Sequence, residues 1–227
     1  ATANVAVGAG ALQTVTTSAD NVAVGRAALY HSTAANNTGI GSLALYLNTS
    51  GTNNTSIGKG ALQSNTTASN NTAVGKSALT ANTTGYDNVA FGSQTLDANT
   101  TGYGNTALGR SALSKNTTAQ QNTAVGYLSM NENTSGADNV AVGRGSLRYN
   151  TTADKNTALG TNALTANTTG TTNVAVGANA LDANTTGSAN VAIGTDSLSE
   201  NTVGAHNTAI GRSALQNNTS TSNTAIG

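Results

Sequence analysis

Short segments of alternating polar and hydrophobic residues recur along the whole chain. Each has the form Asn-Thr-Ala-Val-Gly, as at residues 71–75, and fourteen close copies run from 4–8 to 223–227. Eleven of the thirteen spacings between their closing glycines are 17 residues, and the other two are 16. A fixed period of this length predicts a solenoid, in which each repeat stacks on its neighbours.

We number the repeat from its asparagine, so that position 1 is Asn71 and position 5 is Gly75. Position 1 is always Asn, position 2 is Val or Thr, position 3 is small, and position 4 is Val, Ile, Leu or Phe. This alternation with a period of two predicts a short strand that ends at the glycine. A small residue at position 8 and a leucine at position 9, such as Leu79, predict a second strand. An Asn-Thr-Thr-Gly turn follows it.

Two short strands in each 17-residue coil predict an all-β fold, a parallel β-solenoid whose coils lie about 4.8 Å apart. Residues 1–227 would form a single repeat domain, and we expect this domain to be a segment of a longer fibre. The asparagines at position 1 are predicted to bond to their copies above and below, as asparagine ladders do in stacked sheets. The repeat core is expected to include Asn71, Ala73, Val74, Gly75, Leu79, Asn88, Gly92 and Leu96.

The direction of the position-4 side chains stays open at this stage. A small residue at position 3 suits a cramped interior, which would place position 4 outside as an apolar stripe too long to leave in water. Three chains around an axis could bury that stripe. The opposite assignment, with position 4 inside each coil, would allow a monomer.

The charged residues occupy a restricted set of positions. All nine acidic and nine basic residues fall at positions 6, 7, 10, 11, 16 or 17, as do the tyrosines and histidines. Because charges are rarely buried unpaired, these positions are predicted to face water. The net charge is zero and no apolar run reaches bilayer length, so neither nucleic-acid binding nor membrane insertion by this segment is expected.

The sequence has no recognisable arrangement for catalysis, metal binding or cofactor binding. His31 and His206 lie far apart, the acidic residues are scattered, and there is no cysteine. We therefore expect no enzyme, no metal and no cofactor. The Asn-Thr-Thr triplets formally match N-glycosylation acceptors, but their recurrence with the repeat favours turn chemistry.

Exposed aromatic residues form the candidate ligand surface. Tyr30, His31 and Tyr46 fall on adjacent coils, as do Tyr86 and Tyr103. Surface tyrosines offer contact area to sugars or proteins with little loss of entropy. The alternative is that these residues only cover sheet edges and turns, since scattered exposed apolar groups are normal.

The Asn-x-Ala-[Val/Ile]-Gly-x-x-Ala pattern, with residues 190–194 as a close match, resembles the head repeats of trimeric autotransporter adhesins, the YadA-like left-handed parallel β-roll. The repeats are also similar to those of phage tail-fibre-like proteins. The family's usual repeat is 14 residues, so this one is longer, and leucine replaces the usual small residue at position 9. The resemblance implies an extracellular homotrimer of rolls, on a cell surface or virion fibre. It also implies binding to a host, prey or matrix protein or glycan.

The leading hypothesis is a structural and adhesive segment of such a trimeric fibre. One alternative is an ice-binding solenoid, because threonine occupies position 13 in every full repeat and could form a ladder that orders water. Another is the subunit of a polymerising extracellular filament, because the first and last coils lack a distinctive polar cap and could stack end to end.

Overall fold

The computed structural model describes residues 3–15 and 17–227. Within this range the regular secondary structure consists only of β-strands. Each copy of the repeat forms one strand of three residues. The fourteen strands are β1 Val5–Val7, β2 Val22–Val24, β3 Thr38–Ile40, β4 Thr55–Ile57, β5 Thr72–Val74, β6 Val89–Phe91, β7 Thr106–Leu108, β8 Thr123–Val125, β9 Val140–Val142, β10 Thr157–Leu159, β11 Val174–Val176, β12 Val191–Ile193, β13 Thr208–Ile210 and β14 Thr224–Ile226.

The chain divides into two compact units, Ala1–Thr118 and Ala119–Gly227, with seven strands in each. Within a unit, consecutive strands pair in parallel and in register, so that equal repeat positions are neighbours; Ala73 pairs with Ala90, for example. The predicted all-β parallel β-solenoid is confirmed. The single domain over 1–227 and the left-handed coil stay predictions.

Each coil contains one strand, and the predicted second strand is wrong. Positions 6 to 11 form a turn, because the backbone is left-handed at positions 7 and 9, with φ of 58° at Ser77 and 50° at Leu79. Left-handed residues interrupt an extended backbone. The turn still joins the coils: the Leu79 N–H donates to the Thr95 carbonyl at 3.0 Å, and the Ser77 N–H donates to the Lys59 carbonyl at 3.0 Å.

The core is narrow and is filled mainly by the position-9 column. Ala73, Ala78 and Leu79 are all fully buried, and the position-9 residues from Leu29 to Leu198 are the largest buried apolar side chains. A left-handed backbone costs a non-glycine residue roughly 1–2 kcal/mol. Burying a leucine contributes about 1.5–3 kcal/mol, which is enough to offset the strain at the position-9 residue itself.

The side chains at positions 2 and 4 point outward, which settles the alternative that the sequence left open. Val74 is half-buried and Phe91 is 54% exposed, whereas Ala73 and Ala90 beside them are fully buried. Position 3 must be small because it faces the core closely: a Cβ on Gly39 would lie 3.2 Å from the Leu29 side chain.

The prediction of Val74 as a core residue is therefore wrong. The glycines Gly75 and Gly92 are corners that keep partial exposure. The predicted burial is confirmed for Asn71, Ala73, Leu79, Asn88 and Leu96.

The predicted asparagine ladder at position 1 is present, and its members from Asn21 to Asn207 are buried. The Asn71 Nδ2 donates to the Asn54 Oδ1 at 3.3 Å and to the Gly85 carbonyl of its own coil at 2.9 Å. The Asn71 Oδ1 in turn accepts the backbone N–H of Asn88 at 3.0 Å. Each asparagine therefore supplies the acceptor for a backbone N–H group on the next coil, a group that must be paired when buried.

A second buried ladder runs along position 12 and was not predicted. The Asn82 Nδ2 donates to the Asn65 Oδ1 at 2.9 Å and to the Gly85 carbonyl at 2.8 Å, so this carbonyl accepts from both ladders. In the first two coils Val15 and Ser32 take the place of the asparagine. Asn82 begins one of the Asn-Thr-Thr triplets, and its full burial supports the structural interpretation of these triplets.

Candidate functional surfaces

The described residues contain no cleft, no group of side chains that could hold a metal ion, and no helix long and apolar enough to cross a bilayer. The side chains that could bind another molecule lie instead on the outer surface of the coils. Three features stand out: the outward side of the strands, the charged residues at the two ends of the strands, and the clustered aromatic residues.

The strand face, which we define as positions 2 and 4 of the strands in each unit, gathers most of the exposed apolar side chains. Sixteen large apolar or tyrosine side chains are exposed among the described residues, and eleven of them lie on this face. The other five are scattered over the turns, so the strand face is the main apolar surface. Its exposed members are Val5, Val7, Ile40, Ile57, Val89, Phe91, Leu108, Val142, Leu159, Ile193 and Ile226.

Exposed charges of opposite sign flank the strand face. Position 6, the residue after each corner glycine, is either uncharged or a lysine or arginine. We call its charged members the basic row. The residue two places before each strand, position 17, forms an acidic row with three aspartates and one lysine. The basic row contains Arg26, Lys59, Lys76, Arg110, Arg144 and Arg212; the acidic row contains Asp20, Asp87 and Asp138, interrupted by Lys155.

Two strands carry a charge of each sign at their ends. Asp20 and Arg26 flank β2, and Asp138 and Arg144 flank β9. None of these four side chains makes an ion pair with a described residue of the chain. They are therefore available to charges on another molecule.

Two acidic residues at position 10 are half-buried. Burial raises the pKa of Asp97, opposed by a hydrogen bond with Ser114, and leaves its Oδ1 without a partner. Burial also raises the pKa of Asp182, and the nearby Asp196 carboxylate adds to this rise. A raised pKa marks a candidate site when it occurs in a cleft beside a specific partner, and the described surface has no cleft.

The first aromatic group brings Tyr30, His31 and Tyr46 into contact, in line with their predicted adjacency. The His31 ring lies edge-on to Tyr30 at 4.7 Å and to Tyr46 at 5.0 Å, and the two tyrosine rings are 5.5 Å apart. All three side chains are half-buried. This group covers itself to a large extent and offers mainly ring edges.

The second aromatic group is a parallel stack. The Tyr86 and Tyr103 rings, at position 16 of consecutive coils, have centroids 4.9 Å apart and planes within 4° of each other. Tyr86 is 45% exposed. The translation from coil to coil places the two tyrosines in the same orientation, and the contact holds both rings in fixed positions.

The position-13 threonines form a regular row along each unit. The Thr83 Oγ1 donates to the Thr100 carbonyl at 3.0 Å, and the same bond recurs from coil to coil. The neighbouring position-14 residues, such as Thr84, are exposed. The hydroxyl protons of the row are thus already donated within the chain. Ice binding stays a prediction that an ice-recrystallisation assay would test.

Comparison of the chain with models of protein families, with curated proteins and with solved structures finds no match. The resemblance to adhesin head repeats therefore rests on the repeat pattern alone. The strand face, the two charged rows and the aromatic groups are the features of the described residues that bear on function.

Proposed function

We propose that this chain is a structural and adhesive segment of an extracellular fibre in which three copies associate through their strand faces. The observation that carries the proposal is the strand face itself, in which position 4 is always apolar, position 2 is Val or Thr, and no residue is charged. Depletion of charge and enrichment of apolar groups characterise the centre of protein interfaces. A continuous exposed apolar surface is a marker of an interaction site.

The partner that fits this face best is another copy of the same chain. A second copy has the same coil spacing. Its outward side chains can therefore pack against the strand face of the first copy coil by coil. The charged rows set the direction: when copies run parallel, the basic row of one lies beside the acidic row of the next. Copies running antiparallel would bring like rows together, which is unfavourable. The number three comes from the resemblance to the adhesin head repeats.

Sedimentation velocity at micromolar concentration tests the assembly. We expect the chain to sediment as a trimer and a variant carrying Ile57→Thr, Phe91→Thr and Leu108→Thr to sediment as a folded monomer. Each substitution removes apolar area worth roughly 1 kcal/mol or more per side chain, and threonine keeps the preference for a strand. Circular dichroism of both proteins checks that the fold is retained.

The matched control changes exposed apolar residues that lie outside the strand face. Leu47→Thr combined with Val203→Thr should leave the trimer intact, since these side chains lie at positions 11 and 14. A folded wild-type monomer at micromolar concentration would rule out the trimer. Long filaments seen by electron microscopy would instead favour end-to-end polymerisation.

Charge reversal tests the parallel arrangement. Arg144→Glu would place a carboxylate opposite Asp138 of the neighbouring copy at three equivalent contacts, and we expect the trimer to weaken by roughly 1–3 kcal/mol at low salt. Adding Asp138→Lys restores opposite charges and should recover the association. Glu200→Lys, a change of the same size away from both rows, is the control. No recovery in the double variant contradicts the parallel arrangement.

A further inference from the structure

The Tyr86 ring has one covered face and one uncovered face. Tyr103 stacks on the side of the following coil at 4.9 Å. On the preceding coil the same repeat position is Ser69, whose short side chain is half-buried and accepts the Thr52 N–H at 3.0 Å. A large, oriented aromatic surface therefore lies open above a small residue.

Polar groups of complementary type occupy position 17, the residue after Tyr86 and the residue after Ser69. The Asp87 carboxylate is exposed and makes no hydrogen bond with a described residue, so it can accept hydrogen bonds from a ligand. The exposed Asn70 amide uses its oxygen to accept the Asn53 Nδ2 at 3.4 Å, which leaves its own N–H groups to donate. An exposed acceptor and an exposed donor thus occupy equal positions on consecutive coils, next to Tyr86 and Ser69.

We propose that Tyr86, Asn70 and Asp87 form a binding site for a single pyranose ring of a surface saccharide. The C–H side of a pyranose is apolar and stacks on the electron-rich face of an aromatic ring. Its hydroxyl groups both donate and accept, which matches a carboxylate beside an amide. This inference rests on the proposed function, in that the saccharide would be the ligand to which the fibre attaches.

Two of the other tyrosines have their rings covered by different groups. The Tyr30 ring carbons lie against Gly10, where an added Cβ would be 3.2 Å from the ring, and the His31 ring makes a T-shaped contact with Tyr30 at 4.7 Å. The Arg148 guanidinium lies over the Tyr149 ring at 5.0 Å from its centroid. The geometry thus assigns the site to Tyr86.

The experiment is saturation-transfer NMR on the wild-type chain with methyl β-D-galactopyranoside, whose H3, H4 and H5 form one apolar patch. We expect transfer strongest at these three protons and a dissociation constant of about 1–10 mM, as befits a shallow site with few contacts. Methyl α-D-mannopyranoside, which lacks that patch, should bind more weakly. Three copies in one fibre would raise the avidity for a multivalent glycan.

Substitutions separate stacking from hydrogen bonding. Tyr86→Ala should weaken binding at least tenfold and still fold, because position 16 is alanine in other coils, such as Ala35 and Ala137. Tyr86→Phe should keep binding within about twofold, since the ring face is unchanged. Asp87→Asn should weaken binding several-fold, and Tyr149→Ala should have no effect.

The proposal is overturned if the wild type shows no transfer up to roughly 50 mM galactoside, well above the expected constant. Equal loss in the Tyr86→Ala and Tyr149→Ala variants overturns it as well. Sedimentation of the same samples keeps the two proposals separate. A trimer that binds no sugar contradicts only the saccharide site, and a monomer that binds sugar contradicts only the assembly.

Discussion

Replacing Gly75 with alanine should destabilise the fold by about 4 kcal/mol or more, the range in which single substitutions become exceptional. Gly75 has φ of +135°, a region that side chains rarely adopt. A Cβ there would lie 2.6 Å from the Gly92 carbonyl carbon and 3.0 Å from the Ser93 nitrogen. Both atoms are backbone atoms of the next coil, so no rotamer change can relieve the contact, and the coils must separate.

Gly60→Ala provides the matched control in the same unit. Gly60 also has positive φ, at +66°, but an added Cβ would meet only the flexible Gln63 side chain at 3.1 Å and the Thr80 hydroxyl at 4.0 Å. The equivalent residues Ala27 and Ser77 already adopt left-handed conformations. We expect a loss of about 1 kcal/mol or less. Urea unfolding followed by circular dichroism measures both, and equal losses contradict the backbone clash.

The strand of each coil could be predicted from the sequence, because every copy repeats the same alternation of residue types. The asparagine ladder and the corner glycine followed from the same regularity. The absence of a second strand could not be predicted, because leucine normally avoids left-handed φ. The residue types around Leu79 do not indicate that its backbone is left-handed. The position-12 ladder was missed because Asn-Thr-Thr-Gly is equally typical of an ordinary turn.

The candidate surfaces also contain features that the sequence predicts and features that it does not. The 17-residue period alone places Tyr86 next to Tyr103, but it does not reveal that the rings stack and leave one face open. The segregation of cations at position 6 and aspartates at position 17 is visible in the sequence. The proposal that these rows are the two rims of an interface depends on the outward direction of residues such as Phe91. That direction follows from the space available inside the coil, which residue types alone do not give.

Asn71→Ala should cost roughly 3–4 kcal/mol, because the loss reaches beyond the side chain that is removed. The buried Asn88 N–H would lose its acceptor, at about 1–3 kcal/mol for an unpaired buried group. The Nδ2 bonds from Asn71 to Asn54 and Gly85 would also be lost, at about 1 kcal/mol each before relaxation. The Gly85 carbonyl would keep the bond from Asn82.

The two ladders should differ in their sensitivity, and this order is the sharper test. Asn82→Ala orphans no backbone N–H, since the Asn82 Oδ1 accepts only the Asn99 side chain, which also bonds to the Gly102 carbonyl. The variant still loses three side-chain bonds, at about 1 kcal/mol each before relaxation. We therefore expect a loss of roughly 2–3 kcal/mol, smaller than that of Asn71→Ala. The exposed Asn70→Ala is the control and should lose less than about 1 kcal/mol. Urea unfolding of the three variants measures the order. If Asn82→Ala costs as much as Asn71→Ala, the backbone N–H bonds are not what makes position 1 invariant in this chain.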